Sequence, residues 1–189
     1  MLLTLSRVFL FELMKAIQNK PTSKIFIPET DYSAMTTFVT VREQFFMEKT
    51  LLFLKGFENI DDKFRNKFDK VMANQQYKKD LEERLIIALD RFDELAKADA
   101  LFKVFVAHIN KEINQQEFLR YLYVLDKIDF HTIEKLKNFY ASSDEVTSDS
   151  NLNSFAFVGL LKLVTRFELT VFGKNEFGSK FLEILGLLA

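Results

Sequence analysis

A chain of 189 residues with 48% hydrophobic and 28% charged side chains can bury one domain, or one domain with a small appendix. Its formal net charge of −1 gives no global argument for nucleic acid or an anionic membrane, and with no Cys there is no disulfide, zinc ribbon or thiol chemistry. Five Gly and two Pro imply long helices with few turns, while 22 Phe and no Trp imply a Phe-rich core whose surplus can line a subunit interface.

The chain opens on "LLTLSRVFLFELMKAIQ". Arg7, Glu12 and Lys15 interrupt it, it is too short to span a bilayer, and it lacks the basic start and small-residue cleavage site of a signal peptide. Thr4, Arg7, Lys15 and Gln18 share one narrow helical face, leaving apolar side chains over the rest. A helix that apolar is normally sandwiched between partners, so Leu5, Val8, Phe9, Leu13 and Ile17 are the candidate interface. The alternative is a membrane surface met by residues 1–18. With no redox or spanning marker the default location is cytoplasmic, with a membrane-peripheral variant.

"NKPTSKIFIPETD" carries both prolines and reads as a connector. A helix is expected from about Ser33 to Leu54, with Phe38, Val41, Phe45 and Leu52 on one side and Gly56 as its C-terminal cap. "NIDDKFRNKFDKVM" spaces Ile60, Phe64, Phe68 and Val71 helically, and Asp61 and Asp62 favour the helix start. "YKKDLEERLIIALDRFDELAKADALFKVFVAHI" reads as one bent helix or two joined near Lys97 to Asp99.

"KEINQQEF" looks at first like the end of a calcium loop. With Glu117 as the last ligand, the first ligand position falls on Val106, the third on His108 and the required glycine on Lys111. Calcium needs several carboxylate oxygens, and this loop supplies almost none. The better reading is a capping box, with Asn114 at the N-cap and Glu117 three residues later, and with Ile113 and Phe118 as the accompanying staple. Phe118, Tyr121, Leu122, Leu125 and Ile128 form the buried face that follows. Asp129 caps a further helix with Ile133, Leu136 and Tyr140, and "ASSDEVTSDS" is a polar link.

In the last forty residues, Leu152, Phe155, Gly159, Leu160 and Leu161 fit L-x-x-[LF]-x-x-x-G-L-[IL]. Phe167, Leu169, Thr170 and Gly173 fit [FY]-x-L-T-x-x-G, before an apolar helix with Phe177, Phe181, Ile184 and Leu185. This resembles the second half of a winged-helix domain: a helix ending at glycine, two wing strands and a closing helix. Gly159 would allow the tight helix-to-strand transition. A winged helix raises the question of DNA, yet from Asp129 onward there are six Lys or Arg against eight Asp or Glu. The helix in the recognition position has no cation, so Lys162, Arg166 and Lys174 are the residues an alternative nucleic-acid regulator would use.

Catalytic constellations are missing from the sequence. His108 and His131 fit neither the di-iron nor the H-E-x-x-H spacing, and no glycine-rich phosphate loop or G-x-S-x-G occurs. Asp90, Asp93 and Asp99 cluster, but Arg91 and Lys97 are interleaved, as on a solvated, salt-bridged helix face.

Glu48 to Tyr140 resembles an uncharacterised family of small bacterial proteins found on chromosomes, prophages and mobile elements. The shared residues are Lys49, Phe53, Leu54 and Phe57, then Leu89, Asp90, Asp93, Lys97, Ala98, Phe105, Ile113 and Phe118. An "L-D-K-I-D" segment and the tail "FELTVFGKNEFGSKFLEIL" continue the likeness, which departs at Asp129–Phe130. The resemblance implies phage defence or superinfection exclusion, with membrane-seeking N-termini in some relatives.

The expected fold is mainly α: a helical-bundle domain over residues 1–141 and a small winged-helix-like α+β element over 142–189 packed on it. The expected function is a non-catalytic protein-interaction or oligomerising protein with no cofactor or metal. Its expected partner is a protein or a second copy rather than nucleic acid.

Overall fold

A computed structural model describes residues 41–142, 149–166 and 169–188 of the chain. Among them are eight α-helices and one two-stranded antiparallel sheet, so the architecture is mainly α. The chain divides into two compact units, residues 1–102 and 103–189. The proposed interface residues Leu5, Val8, Phe9, Leu13 and Ile17 lie outside the described residues, as do Phe38 and Phe167.

Among the described residues of the first unit, α1 (Val41–Lys55) runs directly into a 3-10 turn at Gly56–Asn59. Asp61 then caps α2 (Asp62–Met72), its side chain accepting from the Phe64 amide at 2.7 Å. Asn74 does the same for α3 (Gln75–Arg91) through the Tyr77 amide at 3.1 Å. The helix α4 (Ala96–Ile109) follows, so the long periodic stretch is two helices. They part at Phe92–Leu95, upstream of the expected joint.

Phenylalanine dominates the core of this unit. Phe57 meets Phe53, Phe64, Phe68 and Phe102 edge-on, with ring centroids 5.0 to 6.4 Å apart. Such edge-to-face pairs add about 0.5–1.5 kcal/mol each beyond area burial. Gly56 follows Lys55, the last residue of α1, where the sequence placed the C-terminal cap, and does so without a positive φ. The Phe102 ring lies where its Cβ would be, so glycine is needed there for close approach. Twelve of the 22 Phe are buried among the described residues of the two units, so more than half of the chain's Phe is core.

In the second unit α5 (Gln115–Lys127) starts with the expected capping box. Asn114 accepts from the Glu117 amide at 2.9 Å, and Glu117 accepts from the Asn114 amide at 2.8 Å. Asp129 caps a 3-10 turn, Phe130–Thr132, that leads into α6 (Ile133–Ala141). Then come α7 (Ser150–Phe157), β1 (Lys162–Arg166), β2 (Leu169–Gly173) and α8 (Glu176–Ile184). The strands pair Leu163 with Phe172 and Val164 with Val171. Gly159 has φ +84, and the Leu160 amide reaches back to the Phe155 carbonyl at 2.8 Å, ending α7 as its sequence required.

The α8 helix is fastened to its unit by neutral and charged contacts. Tyr121 stacks on Phe177 at 4.5 Å, and Lys180 meets Glu117 at 3.1 Å. The Tyr140 hydroxyl donates to the Leu160 carbonyl at 2.7 Å and accepts from the Asn175 amide at 3.1 Å. Asn175 in turn donates to the Gly159 carbonyl and caps α8 at the Gly178 amide.

Candidate functional site

The most unusual chemistry in the described residues is a pair of buried lysines at the α3–α4 corner. Lys49 lies on the apolar stripe of α1 between Phe46 and Phe53, at 1% exposure, and Lys97 opens α4 at 0%. Burying an ammonium group costs several kcal/mol unless it is paired, so both need partners.

The corner supplies them. Lys49 donates to the Phe92 carbonyl and, at 3.4 Å, to that of Asp90, and its ammonium stands 4.6 Å above the Phe45 ring. Lys97 donates to the Asp93 carboxylate at 2.6 Å and stands 3.8 Å from that of Glu94. Phe92 leaves α3 with ψ 133, and it is this extended residue whose carbonyl Lys49 receives. The Lys97 hydrogen bond, with lesser attraction to Lys97 and Lys49, holds the Asp93 carboxyl below the ordinary carboxylate range.

Four residues of the family-like pattern, Lys49, Asp90, Asp93 and Lys97, thus come together. Lys97 is not on the solvated face that the interleaved charges suggested: its head is inside, clamped to an Asp93 side chain that is 74% exposed. A lysine nucleophile must meet its substrate, and these two have almost no exposed surface. The cluster acts as a charged strut that fixes the corner.

The two histidines have different surroundings. His108 stacks on Phe118 at 4.6 Å with its Nδ1 3.4 Å from the Ile113 carbonyl, and burial pushes its pKa down, so the ring stays neutral at pH 7. His131 is exposed on the 3-10 turn. No group of three or more metal-ligating side chains occurs among the described residues, and none of their helices is long and apolar enough to cross a membrane.

Of the three tail cations, Lys174 donates to the carbonyls of Tyr140, at 2.8 Å, and Ser142. Its ammonium thereby satisfies carbonyls at the C-terminal end of α6. Lys162 and Arg166 stand at opposite ends of β1, about 13 Å apart by strand rise.

Sequence reasoning missed the lysine pair. The available signal was a lysine on an apolar stripe: Lys49 falls three residues after Phe46 and four before Phe53, and Lys97 precedes Leu101 and Val104 by four and seven. No protein-family model, curated protein or solved structure matches the chain.

Proposed function

We propose that the chain is a non-catalytic interaction protein that associates with a second copy of itself, working in phage defence or mobile-element biology. The biological setting is supported by the resemblance of residues 48–140 alone. The self-association is carried by one observation: Phe157 is 78% exposed and Leu163 60% exposed, on either side of the Gly159 corner. The two flank a corner whose own geometry is fixed by hydrogen bonds, which makes them rigid apolar contacts.

A second copy is the occupant that symmetry makes easiest, because a two-fold interface sets one patch against itself and needs no separate complementary surface. In this reading residues 142–189 are a winged-helix-like element used for protein contact. Support comes from the order helix, strand, strand, helix, with the left-handed glycine between α7 and β1. Engagement of Lys174 by the α6 carbonyls weighs against the nucleic-acid use of the same element.

Light scattering across a concentration series tests the proposal. A mass near twice the 22.2 kDa of one chain is expected, falling to a single chain in the variant Phe157→Ser with Leu163→Ser. A strict monomer at all concentrations, or a dimer untouched by the double substitution, would sink it.

A further inference from the structure

Residues 63–79 read "KFRNKFDKVMANQQYKK". Six cations, Lys63, Arg65, Lys67, Lys70, Lys78 and Lys79, stand against one acid, Asp69, between acidic borders at Asp61, Asp62, Asp80, Glu82 and Glu83. The structure folds this run into the hairpin of α2 and the start of α3, turning at Ala73–Asn74.

Helical spacing sorts the charges. Phe64, Phe68 and Met72 are the buried side of α2. Lys63, Lys67 and Lys70 follow one another at i, i+4 and i+7, which places them on one stripe about a third of a turn away from that side, rising about 10 Å along the axis. Asp62 is turned to Arg65 at 3.5 Å, and Lys78 is matched by Glu82 at 3.6 Å. Lys63, Lys70 and Lys79 are exposed and have no ion-pair partner among the described residues. Like charges held on one helical ridge repel, and a polyanion relieves that repulsion.

The surroundings decide between polyanions. Asn66 and Gln75 are exposed amides interleaved with the cations, suited to donate to phosphate oxygens, while Gln76 donates to Asp80 at 2.9 Å and Asn74 caps α3. No large hydrophobic side chain of this run is exposed, the nearest along the chain being Leu52 and Ile87. An interfacial membrane helix needs such an apolar face, so this hairpin is poorly built for a bilayer. We propose that the α2–α3 hairpin is a contact for nucleic-acid backbones that seats phosphates on Lys63, Lys70 and Lys79, without sequence preference.

The test titrates the full chain against labelled mixed-sequence RNA and duplex DNA between about 50 and about 200 mM salt. The unaltered protein should bind with a steep salt dependence. The triple variant K63Q/K70Q/K79Q should bind more than about tenfold more weakly at the low-salt end, with a log–log slope shallower by about 0.7–0.9 per cation removed. An unchanged melting temperature shows that the fold is intact, since these side chains are exposed. The variant K162Q/R166Q, on the other unit, should bind as the unaltered protein does. Absence of salt-dependent binding, undiminished binding by the triple variant, or loss confined to the tail variant would overturn the proposal. So would flotation with phosphatidylserine vesicles in the absence of binding to either nucleic acid.

Discussion

Two corners of the molecule solve the same problem with opposite chemistry. At the α3–α4 corner the turn is pinned by charge: two buried ammonium groups reach backbone carbonyls and a carboxylate that remains in water. At the α7–β1 corner it is pinned by a phenol and an amide, Tyr140 and Asn175, whose own side-chain hydrogen bonds are all neutral. A charged strut gains much from its partner and loses much when the partner goes, whereas a neutral node depends on shape and on each donor finding an acceptor. The two corners should therefore fail under different insults.

The neutral corner is the one most sensitive to volume. A Cβ on Gly178 would overlap the Leu160 carbonyl and the Tyr140 hydroxyl, and the first is backbone that cannot swing aside. Gly178→Ala should lower stability by about 3 kcal/mol, the upper part of the overpacking range, read as a shift in the urea midpoint at unchanged m. Gly186→Ala is the control, because nothing lies within 4 Å of its added Cβ, and it should lose only about 1 kcal/mol through its φ of +71. Equal losses at the two glycines would mean that the Tyr140 node is not tightly packed.

At the charged corner the order of loss depends on which partner is removed. Asp93→Ala leaves the Lys97 ammonium buried with only Glu94 at 3.8 Å, and should cost about 1–2 kcal/mol. That is less than for a wholly buried pair, because the Asp93 side chain is 74% exposed. Lys97→Met removes the buried charge and keeps the volume, so its loss should stay below about 1 kcal/mol. If Met proves the worse of the two, the strut is a net source of stability rather than a matched pair of costs.

Acid separates the corners directly. The folded Asp93 carboxyl sits below its ordinary value, so its contribution is complete above the unfolded carboxylate pKa of about 3.9 and fades as pH falls through the lower folded value. The stability gap between the unaltered protein and Asp93→Asn should accordingly close in strong acid. Burial raises the Tyr140 pKa, so the phenol stays protonated, and the loss of about 1–2 kcal/mol expected for Tyr140→Phe should be flat from about pH 3 to 8. A Tyr140→Phe gap that moved with acid would place a titrating group in the node.

What the sequence revealed follows the range of the interactions. Asp61, the Asn114–Glu117 box and Gly159 act within five residues of themselves, and each was legible from spacing. The break at Phe92 was not, because it is held by Lys49 from 43 residues away, and no glycine or proline marks it. The need for glycine at position 56 was hidden for the same reason: the ring that forbids its Cβ belongs to Phe102. Among the candidate residues, the interleaved charges read as a salt-bridged helix face but did not show that the Lys97 ammonium would turn inward. The basic run of the hairpin was masked in the charge count by the acids at its own borders, Asp61, Asp62, Asp80, Glu82 and Glu83.

A third corner, between α4 and α5, relies on neither device and offers the smallest effect. The Glu112 amide reaches the Ala107 carbonyl at 2.9 Å and the Lys111 amide that of His108 at 3.0 Å, the same pair of bonds that ends α7 at Gly159. Here the left-handed residue is Lys111, with φ 65, at the place where a calcium loop would have had its glycine. A side chain in that conformation costs about 1–2 kcal/mol, and replacing it with glycine removes the strain while adding about 0.5–1 kcal/mol of unfolded-chain entropy. Lys111→Gly should therefore gain about 0.5 kcal/mol, seen as a rise of about 1–2 °C in Tm for a chain of this size. Lys111→Val should lose stability, because a β-branched residue fits the left-handed region least well. A gain for valine would mean that hydrogen bonding by the lysine, not backbone strain, governs this corner.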